Sequence, residues 1–256
     1  MPKRVRPIGH EDRLSLVDHL DELRGRIVIS LVAFGVALGL CFWQNHQLLK
    51  IVNHPLGHHR KPVTLGVAEP FTTTLTVAAY AAILIAMPVI LYELYAFVLP
   101  AFSPSERRVA LPLLLMVPFL FIAGVAFAYF LVIPAALQFL LHFNSHQFNT
   151  QIRAREYYSF VTLTLLACGA VFQLPVAILG FVRVGILSPA KLRKNRRYAI
   201  LVCAVVAAAL PGVDPVSMLL EMVPLVVLYE LSILLAVLFG RSSADVQDRL
   251  ASAEGS

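Results

Sequence analysis

The amino-acid sequence predicts an all-α integral membrane protein, and three observations favour this fold class. First, 59% of the 256 residues are hydrophobic and 14% are charged, whereas soluble domains carry about 25% charged residues. Second, the apolar residues lie in long runs rather than in amphipathic stripes, as is typical of transmembrane helices. Third, these runs do not alternate, and they exceed the roughly 10 residues of a membrane-barrel strand.

Six apolar segments divide the chain, which we treat as one membrane domain over residues 1–256. A cytoplasmic, amphipathic lead-in (1–25) comes first, the helical bundle (26–239) follows, and a polar tail (240–256) comes last. The lead-in is too polar for a cleavable signal peptide. We predict the transmembrane helices at 26–43, 73–99, 109–141, 157–182, 198–211 and 216–239.

Two of these segments depart from the length of a simple transmembrane helix. The third would be about 50 Å long if it were fully helical, so we expect it to extend beyond the bilayer or to bend at Pro134. The fifth, from Tyr198 to Leu210, would cover about 20 Å of a hydrocarbon core about 30 Å thick. The turn after it therefore either stops short of the far surface and thins the bilayer, or is an ordinary tilted hairpin.

Lysine and arginine residues predict the orientation of the bundle. Six spans put both termini on one side, and that side, with the loops at 100–108 and 183–197, carries sixteen of the 21 Lys and Arg residues. Because cytoplasmic loops carry the excess of these residues, we expect both termini in the cytoplasm. The same asymmetry accounts for the net charge of +6 without nucleic-acid binding.

Ionisable side chains inside the predicted spans are costly and are therefore functional candidates. Glu93, Glu221 and Glu230 fall in this group, and Gln173 is a polar residue near the middle of the fourth span. We interpret the three glutamates as interhelical hydrogen-bonding residues, with partner binding as the alternative. Glu93 and Gln173 would also suit a secondary transporter for a small solute, but such a protein predicts an internal repeat that the sequence lacks.

A mixed-charge segment, residues 19–26, precedes the first apolar run and allows two interpretations. Glu22 stands four residues before Arg26, so the two side chains can form a simple ion pair on a helix surface. Alternatively, Glu22 and Glu106 are carboxylates on the same membrane face, where together they can bind a ligand with two positive charges. Arginine would suit that site best, because it pairs with a carboxylate through two hydrogen bonds.

The residues indicate neither an enzyme nor a metal or cofactor site. The sequence has no HExxH, GxSxG or GKS/T motif, and no histidine falls in a predicted span. His54, His58 and His59 lie close together without an acidic or cysteine partner nearby. The three cysteines are far apart inside apolar runs, so we expect them to be packing residues.

Short motifs keep their order and spacing over roughly residues 14–240. They comprise His19-Leu20 with Glu22, Leu23, Arg24 and Arg26; Glu69-Pro70-Phe71; Pro88-Val89-Ile90-Leu91-Tyr92; Phe97 and Pro100; Glu106-Arg107-Arg108; Phe127-Ala128-Tyr129-Phe130; Tyr158 and Phe160; Phe172-Gln173-Leu174-Pro175; and Leu192-Arg193-Lys194 with Arg196 and Tyr198. In this combination, the chain resembles the TatC family, the multi-span subunit of the twin-arginine protein translocase.

The resemblance implies six helices in a curved, cup-like bundle in the cell inner membrane, with cytoplasmic termini. It implies a receptor for folded precursor proteins whose signal peptides carry paired arginines. Single-span subunits of the TatA and TatB types would be its partners, and the proton-motive force would drive transport. A homo-oligomer is compatible with the resemblance, and no nucleic acid is implied.

The resemblance assigns signal-peptide binding to five residues of this sequence. Glu22 and Glu106 would receive the two arginines, Arg24 and Arg26 would shape the same patch, and Phe97 lies on the matching loop. Glu93, Glu221 and Glu230 do not fall at strong motif positions.

The resemblance also points to intramembrane or partner contacts at Gln173, Asp214, Met218 and Pro211. Asp214 and Pro211 belong to the outer hairpin. Two positions depart from the family pattern: many members carry Glu where this chain has Gln173, which cannot ionise. At Met218 some members carry a polar residue, whereas methionine offers packing instead.

Overall fold

The computed structural model describes residues 10–57, 61–98, 104–143, 145–147, 150–183, 186–211 and 214–239, without the side chains of residues 10–18, 98–115, 183 and 239. Almost all of this part is helical. The helices are α1 (His10–Trp43), α2 (Asn45–Asn53), α3 (Glu69–Val98), α4 (Pro104–Phe127), α5 (Ile133–His142), α6 (Ala154–Val171), α7 (Leu174–Arg183), α8 (Pro189–Lys194), α9 (Arg196–Ala209) and α10 (Pro215–Phe239).

Five stretches of helix are long and apolar enough to cross a membrane. They are His19–Trp43, Glu69–Phe97, Met116–His142, Ala154–Val182 and Pro215–Leu238. The remaining predicted span forms α9, a helix of 14 residues, which extends about 21 Å and is shorter than the hydrocarbon core. The predicted all-α, multi-span membrane fold is confirmed, with the fifth of its six segments short, as expected.

The predicted amphipathic lead-in and the first predicted span form one continuous helix. α1 contains 34 residues from His10 to Trp43, and no proline interrupts it. The polar lead-in therefore extends the transmembrane helix at one end. As a result, charged residues such as Glu22 are held on a rigid element rather than on a loop.

The connection after α1 is also more ordered than predicted. It contains the nine-residue α2 and a short 3-10 turn, His54–Leu56. Val52 and Leu56 are buried there, and the phenol of Tyr157 donates to the Val52 carbonyl at 2.8 Å. This surface helix therefore packs on the start of α6 and closes one end of the bundle.

The third predicted span is helical throughout its described length, with an irregular stretch just before Pro134. A π-helical stretch, Ala128–Val132, joins α4 to α5. In it the Ile133 amide donates to the Ala128 carbonyl, five residues earlier. Because Pro134 has no amide hydrogen, the helix can widen just ahead of it without losing a hydrogen bond at that position.

The fourth predicted span is divided, not continuous. α6 ends at Val171 and α7 begins at Leu174, with Phe172 and Gln173 between them. Pro175 explains the break, because proline is unfavourable inside a helix and well tolerated in the first turn of a new one. The break places the polar Gln173 at a point where the backbone departs from regular α-helix.

Helix packing relies on small side chains. Alanines and a cysteine bury the contact of α1 with α3, namely Ala37, Cys41, Ala78, Ala81, Ala82 and Ala86. Small residues let transmembrane helices approach closely, which is a main source of their attraction in lipid. Cys41, Cys168 and Cys203 are all buried free thiols, which confirms their prediction as packing residues.

Two glycines allow a close approach between α4 and α6. A methyl group added at Gly124 would lie 2.7 Å from the carbonyl oxygen of Cys168 and 2.8 Å from the ring of Phe172. One added at Gly169 would lie 2.6 Å from the ring of Phe121. Each helix thus presents a glycine where the other presents backbone or an aromatic ring.

We expect Gly124→Ala to destabilise the bundle by about 1–3 kcal/mol, because a backbone carbonyl cannot move aside as a side chain can. Gly180→Ala is the matched control, since nothing lies within 4 Å of a methyl group at that helical position. Thermal unfolding of the two purified variants in detergent measures the difference. Equal unfolding temperatures would contradict the close packing of α4 on α6.

Candidate functional site

Arg26 joins α1 to α3 by binding two carboxylates at once. Its Nη2 lies 2.6 Å and its Nε 3.1 Å from Oε1 of Glu22 on the same helix. Its Nη1 lies 2.9 Å from Oε2 of Glu93 on α3. The predicted Glu22–Arg26 pair is therefore confirmed, and so is the interhelical hydrogen bonding expected of Glu93.

The three groups of this charged cluster (Glu22, Arg26 and Glu93) differ in their access to solvent. The Glu22 side chain is 37% exposed, whereas those of Arg26 and Glu93 are 22% and 14% exposed. Two carboxylates outweigh one guanidinium, so the cluster keeps an excess negative charge. That charge is most accessible at Glu22, where both hydrogen bonds from Arg26 fall on Oε1.

An aromatic pair stands beside the charged cluster. The rings of His19 and Phe97 stack with centroids 4.3 Å apart and an interplanar angle of 11°, and Nδ1 of His19 lies 3.8 Å from Oε2 of Glu22. Phe97 was named from the resemblance, but its contact with His19 was not predicted. The stack fixes the end of α3 against α1 next to Glu22.

An apolar groove of about 460 Å³ runs along α1 and α3 from the charged cluster. Leu23, Ile27, Phe34, Ile83, Ile90 and Leu94 supply apolar walls, while Arg26, Glu93 and Phe97 line the end at the cluster. The helices run antiparallel here, because residue 26 meets residue 93 while Ala37 packs in one cluster with Ala78. The groove therefore combines a charged mouth with an apolar channel.

The other two residues expected at this patch are less well defined. Arg24 is exposed. Glu106 lies in the first turn of α4, but its side chain falls outside the described residues. Its pairing with Glu22 across one ligand therefore stays a prediction.

Gln173 lies at the break between α6 and α7 and is 7% exposed. Its Nε2 donates to the Val117 carbonyl of α4 at 3.2 Å, while its buried Oε1 has no partner among the described residues. The side-chain amide of Gln173 thus links the α6–α7 break to α4 through its NH2 group. An unpaired acceptor in a buried position leaves one hydrogen bond available.

Asp214, Pro211 and Met218 are brought together around the start of α10. The Asp214 carboxylate caps this helix, accepting hydrogen bonds from the amide of Ser217 at 2.8 Å and from its hydroxyl. The Pro211 carbonyl accepts from the Thr164 hydroxyl of α6 at 3.0 Å. Met218 packs beside Cys203, Ala207 and Leu225, so its side chain serves packing, as its chemistry predicts.

Interhelical bonding was also expected of Glu230 and Glu221, with different outcomes. Glu230 accepts from Nη2 of Arg196, on α9, at 2.8 Å, as expected. For Glu221 the expectation is wrong: this residue is 1% exposed, and neither carboxyl oxygen has a hydrogen-bond partner among the described residues.

Sequence reasoning missed an ion pair at the opposite end of α3. Glu69 is 8% exposed and accepts from Nε of Arg153 at 3.0 Å and from the amides of Leu65 and Gly66. The carboxylate raises the pKa of the Arg153 guanidinium. Nothing in local sequence links these positions, which are 84 residues apart, so only the fold brings them together.

Comparisons with known proteins identify the family to which the chain is similar. Residues 18–224 match the family model described as "TatC: Sec-independent protein translocase protein (TatC)". A Sec-independent protein translocase protein TatC of Desulforapulum autotrophicum is 35% identical over 245 residues, which cover 94% of this chain and 91% of that protein. A chloroplastic TATC of Arabidopsis thaliana is 36% identical and covers 88% of this chain and 67% of that protein.

Two crystal structures of a twin-arginine translocase receptor, TatC, have the same fold. One superposes with a TM-score of 0.74 and covers 87% of this chain, and the other, determined in DDM, has a TM-score of 0.75 and covers 88%. Both are 34% identical to this chain, which covers each of them completely. The chain therefore belongs to the TatC family of Sec-independent protein translocase proteins.

Proposed function

We propose that this chain is the subunit of the twin-arginine translocase that receives the signal peptides of folded precursor proteins. The observation that carries the proposal is the charged cluster at the mouth of an apolar groove. Glu22, Arg26 and Glu93 form the cluster, and α1 and α3 form the groove. A signal peptide with paired arginines followed by an apolar segment is complementary to this site: its arginines would meet the carboxylates of the cluster, and its apolar segment would meet the groove.

The cluster already contains one arginine, which indicates how a second would bind. Glu93 is the more shielded carboxylate and holds Arg26 at 2.9 Å. Glu22 is more exposed and is shared with solvent. An incoming guanidinium would therefore compete with Arg26 for Glu22, while Glu93 retains Arg26. Glu106, carried over from the family, would receive the other signal arginine, and Arg24 and Phe97 would border the site.

The groove suits the apolar part of the same ligand. From Leu23 to Phe34 its α1 wall is about 16 Å long at 1.5 Å per residue, enough for about three turns of a bound helix. Its walls are aliphatic and aromatic, so apolar segments would gain from burial there. Ligand selection would thus combine charge at the mouth with apolar contact along the wall.

Orientation and partners complete the proposal. The excess of Lys and Arg favours a cytoplasmic position for both termini and the charged cluster, in a cell whose inner membrane would hold the protein. Single-span TatA- and TatB-type subunits would dock on lipid-facing helices, with Gln173, Asp214, Met218 and Pro211 near one contact. The proton-motive force would drive transport. A solute transporter is not favoured, because Glu93 is engaged by Arg26 rather than open to a solute.

We expect Glu22→Gln and Glu106→Gln each to weaken binding of a labelled twin-arginine signal peptide by about tenfold. Each would remove a charge-assisted contact of about 1–3 kcal/mol. The double variant should reduce crosslinking of that peptide to the level of a Lys-Lys peptide. Glu156→Gln is the matched control, since Glu156 is an exposed carboxylate, 76% accessible, at the other end of the bundle. Unchanged crosslinking in the double variant would refute the assignment.

Competition for Glu22 predicts opposite effects for its two neighbours. Arg26→Gln removes the resident guanidinium and should tighten binding of the twin-arginine peptide several-fold. Glu93→Gln removes the second carboxylate that holds Arg26, so Arg26 would pair with Glu22 only and peptide binding should weaken. Equilibrium titration of the purified variants with labelled peptide measures both effects, and thermal unfolding checks that each variant is folded. If Arg26→Gln lowered the affinity for the peptide as much as Glu22→Gln does, Arg26 would be a positioning residue for Glu22 and not its competitor.

A further inference from the structure

Glu221 is a buried carboxyl group that neither the fold nor the proposed receptor uses. It lies in the second turn of α10 and is 1% exposed. Both of its carboxyl oxygens are buried, and neither has a hydrogen-bond partner among the described residues. The other two glutamates of the predicted spans are engaged, Glu93 by Arg26 and Glu230 by Arg196. Glu221 therefore needs an explanation of its own.

The hairpin between α9 and α10 places Glu221 deep in the membrane. Thr164, whose hydroxyl donates to the Pro211 carbonyl of that hairpin, is about 15 Å along α6 from its first residue. One turn further lies Cys168, the middle residue of the span Ala154–Val182, and its thiol interacts with the Glu221 carboxyl. Glu221 is thus held level with the centre of the span, where the bilayer supplies no water to solvate a charge.

A second acid on the same face of α10 has the hydrogen-bond donors that Glu221 lacks. Asp214 lies two helical turns before Glu221, and its carboxylate accepts from the amide and the hydroxyl of Ser217. Its position at the start of α10 also favours a negative charge, through the helix dipole. A carboxylate at Asp214 repels a second negative charge at Glu221, so this neighbour too favours the neutral form of Glu221.

The helices packed on α10 supply no counter-charge to Glu221 in the described part of the chain. Tyr129 of the π-helical stretch donates to a backbone carbonyl at the end of α2, and α9 contributes Cys203 to an apolar cluster that it shares with α10. The titratable groups that interact with Glu221 are therefore Asp214 and Cys168. The charged residues of the packed helices lie at the helix ends, namely His142 in α5, Arg183 in α7, Lys191, Arg193 and Lys194 in α8, and Arg196 and Arg197 in α9.

We propose that Glu221 is a proton-binding site at the centre of the membrane, neutral while α10 lies against α6 and ionised only when the two helices separate. An ionised carboxylate without partners is so unfavourable in an apolar interior that the group takes up a proton instead. Release of that proton requires water or a donor to reach the carboxyl, which is buried in the closed arrangement. Loss of the proton therefore favours movement of α10 away from α6, and protonation favours the closed arrangement.

The contact of α10 with α6 is suited to such a movement. α10 packs mainly on α7 and α9, whereas the hairpin before it is joined to α6 by the hydrogen bond from Thr164 to Pro211. Separation of α10 from α6 therefore breaks few contacts, and α9 can move together with α10.

Infrared spectroscopy tests the protonation directly, because the C=O stretch of a carboxylic acid is separate from the bands of a carboxylate. The full-length protein is measured in an uncharged, ester-free detergent at about pH 7, where a glutamate in water is ionised, since it loses its proton near pH 4.3 or about that value. We expect a carboxylic-acid band in the wild type and its loss in Glu221→Gln. Glu156→Gln, which removes an exposed carboxylate, is the matched control and should keep the band.

Glu221→Leu is the second variant, because leucine fills a buried site without titrating. Thermal unfolding shows whether each variant is folded. The proposal is overturned if the wild type lacks the carboxylic-acid band at about pH 7, or if the band keeps its full intensity in either folded variant of Glu221.

Labelling of Cys168 with a maleimide tests whether loss of the proton opens the contact. In a chain with Cys41→Ala and Cys203→Ala, Cys168 is the remaining cysteine. Its labelling rate between about pH 7 and about pH 9 is compared with and without Glu221→Gln, so that the general gain in thiolate with pH cancels. We expect the rate to rise several-fold more steeply when Glu221 is present. A negative charge at Glu221 without opening would disfavour the thiolate and slow the reaction, so faster labelling reports separation of the helices.

The matched control keeps Cys41, at the contact of α1 with α3, as the remaining cysteine. Its labelling rate should be unaffected by Glu221→Gln. If Cys168 is labelled with the same pH dependence with and without Glu221→Gln, the coupling of proton loss to opening is refuted. No signal peptide or precursor protein enters either measurement, so these outcomes are independent of the proposed signal-peptide receptor.

Discussion

The Arg26 guanidinium, held by carboxylates on two antiparallel helices, is the interaction on which the candidate site depends. α1 is the most exposed of the membrane-crossing helices, with 11% of its apolar window buried, and it packs mainly on α3 through small residues. A contact through small side chains lets α1 and α3 approach closely, but it does little to fix the rotation of α1 about its own axis. The Glu22–Arg26–Glu93 bridge adds a polar contact between the two helices at the mouth of the groove and leaves Glu22 as its more exposed carboxylate.

Departures from regular helix occur where the bundle can satisfy the backbone internally. In hydrocarbon, a free carbonyl or amide has no water to bind, so irregular backbone must be covered by protein. The break between α6 and α7 is covered by α4, to which Gln173 donates, and the end of α9 is covered by α6, where Thr164 donates to Pro211. Side-chain amides and hydroxyls therefore link these irregular segments to a neighbouring helix, through Gln173 at the α6–α7 break and Thr164 at the end of α9.

Much of the fold could be predicted from sequence, because long apolar runs and the Lys and Arg distribution are determined by the bilayer rather than by packing. α2 was missed, since a short amphipathic helix at the surface has too weak a pattern to distinguish from a loop. The α6–α7 break was signalled by Pro175 but not located, because a proline inside an apolar run is compatible with a kink or a break. Glu22 was recognisable as a candidate, and the family resemblance was needed to prefer a ligand role over a local ion pair. The partner choice of Glu93, 67 residues from Arg26, depends on helix rotation, which no local pattern encodes.

The reciprocal contact of Gly124 and Gly169 has a consequence for how the family can vary at this crossing. Each glycine faces a bulky group on the other helix, Phe172 for Gly124 and Phe121 for Gly169, so the four positions cannot change independently. A larger residue at either glycine requires a smaller one opposite, and the energetic effects of such substitutions should be non-additive. We therefore expect this crossing to tolerate coordinated substitutions, in which a gain of volume on one side of the contact is matched by a loss on the other.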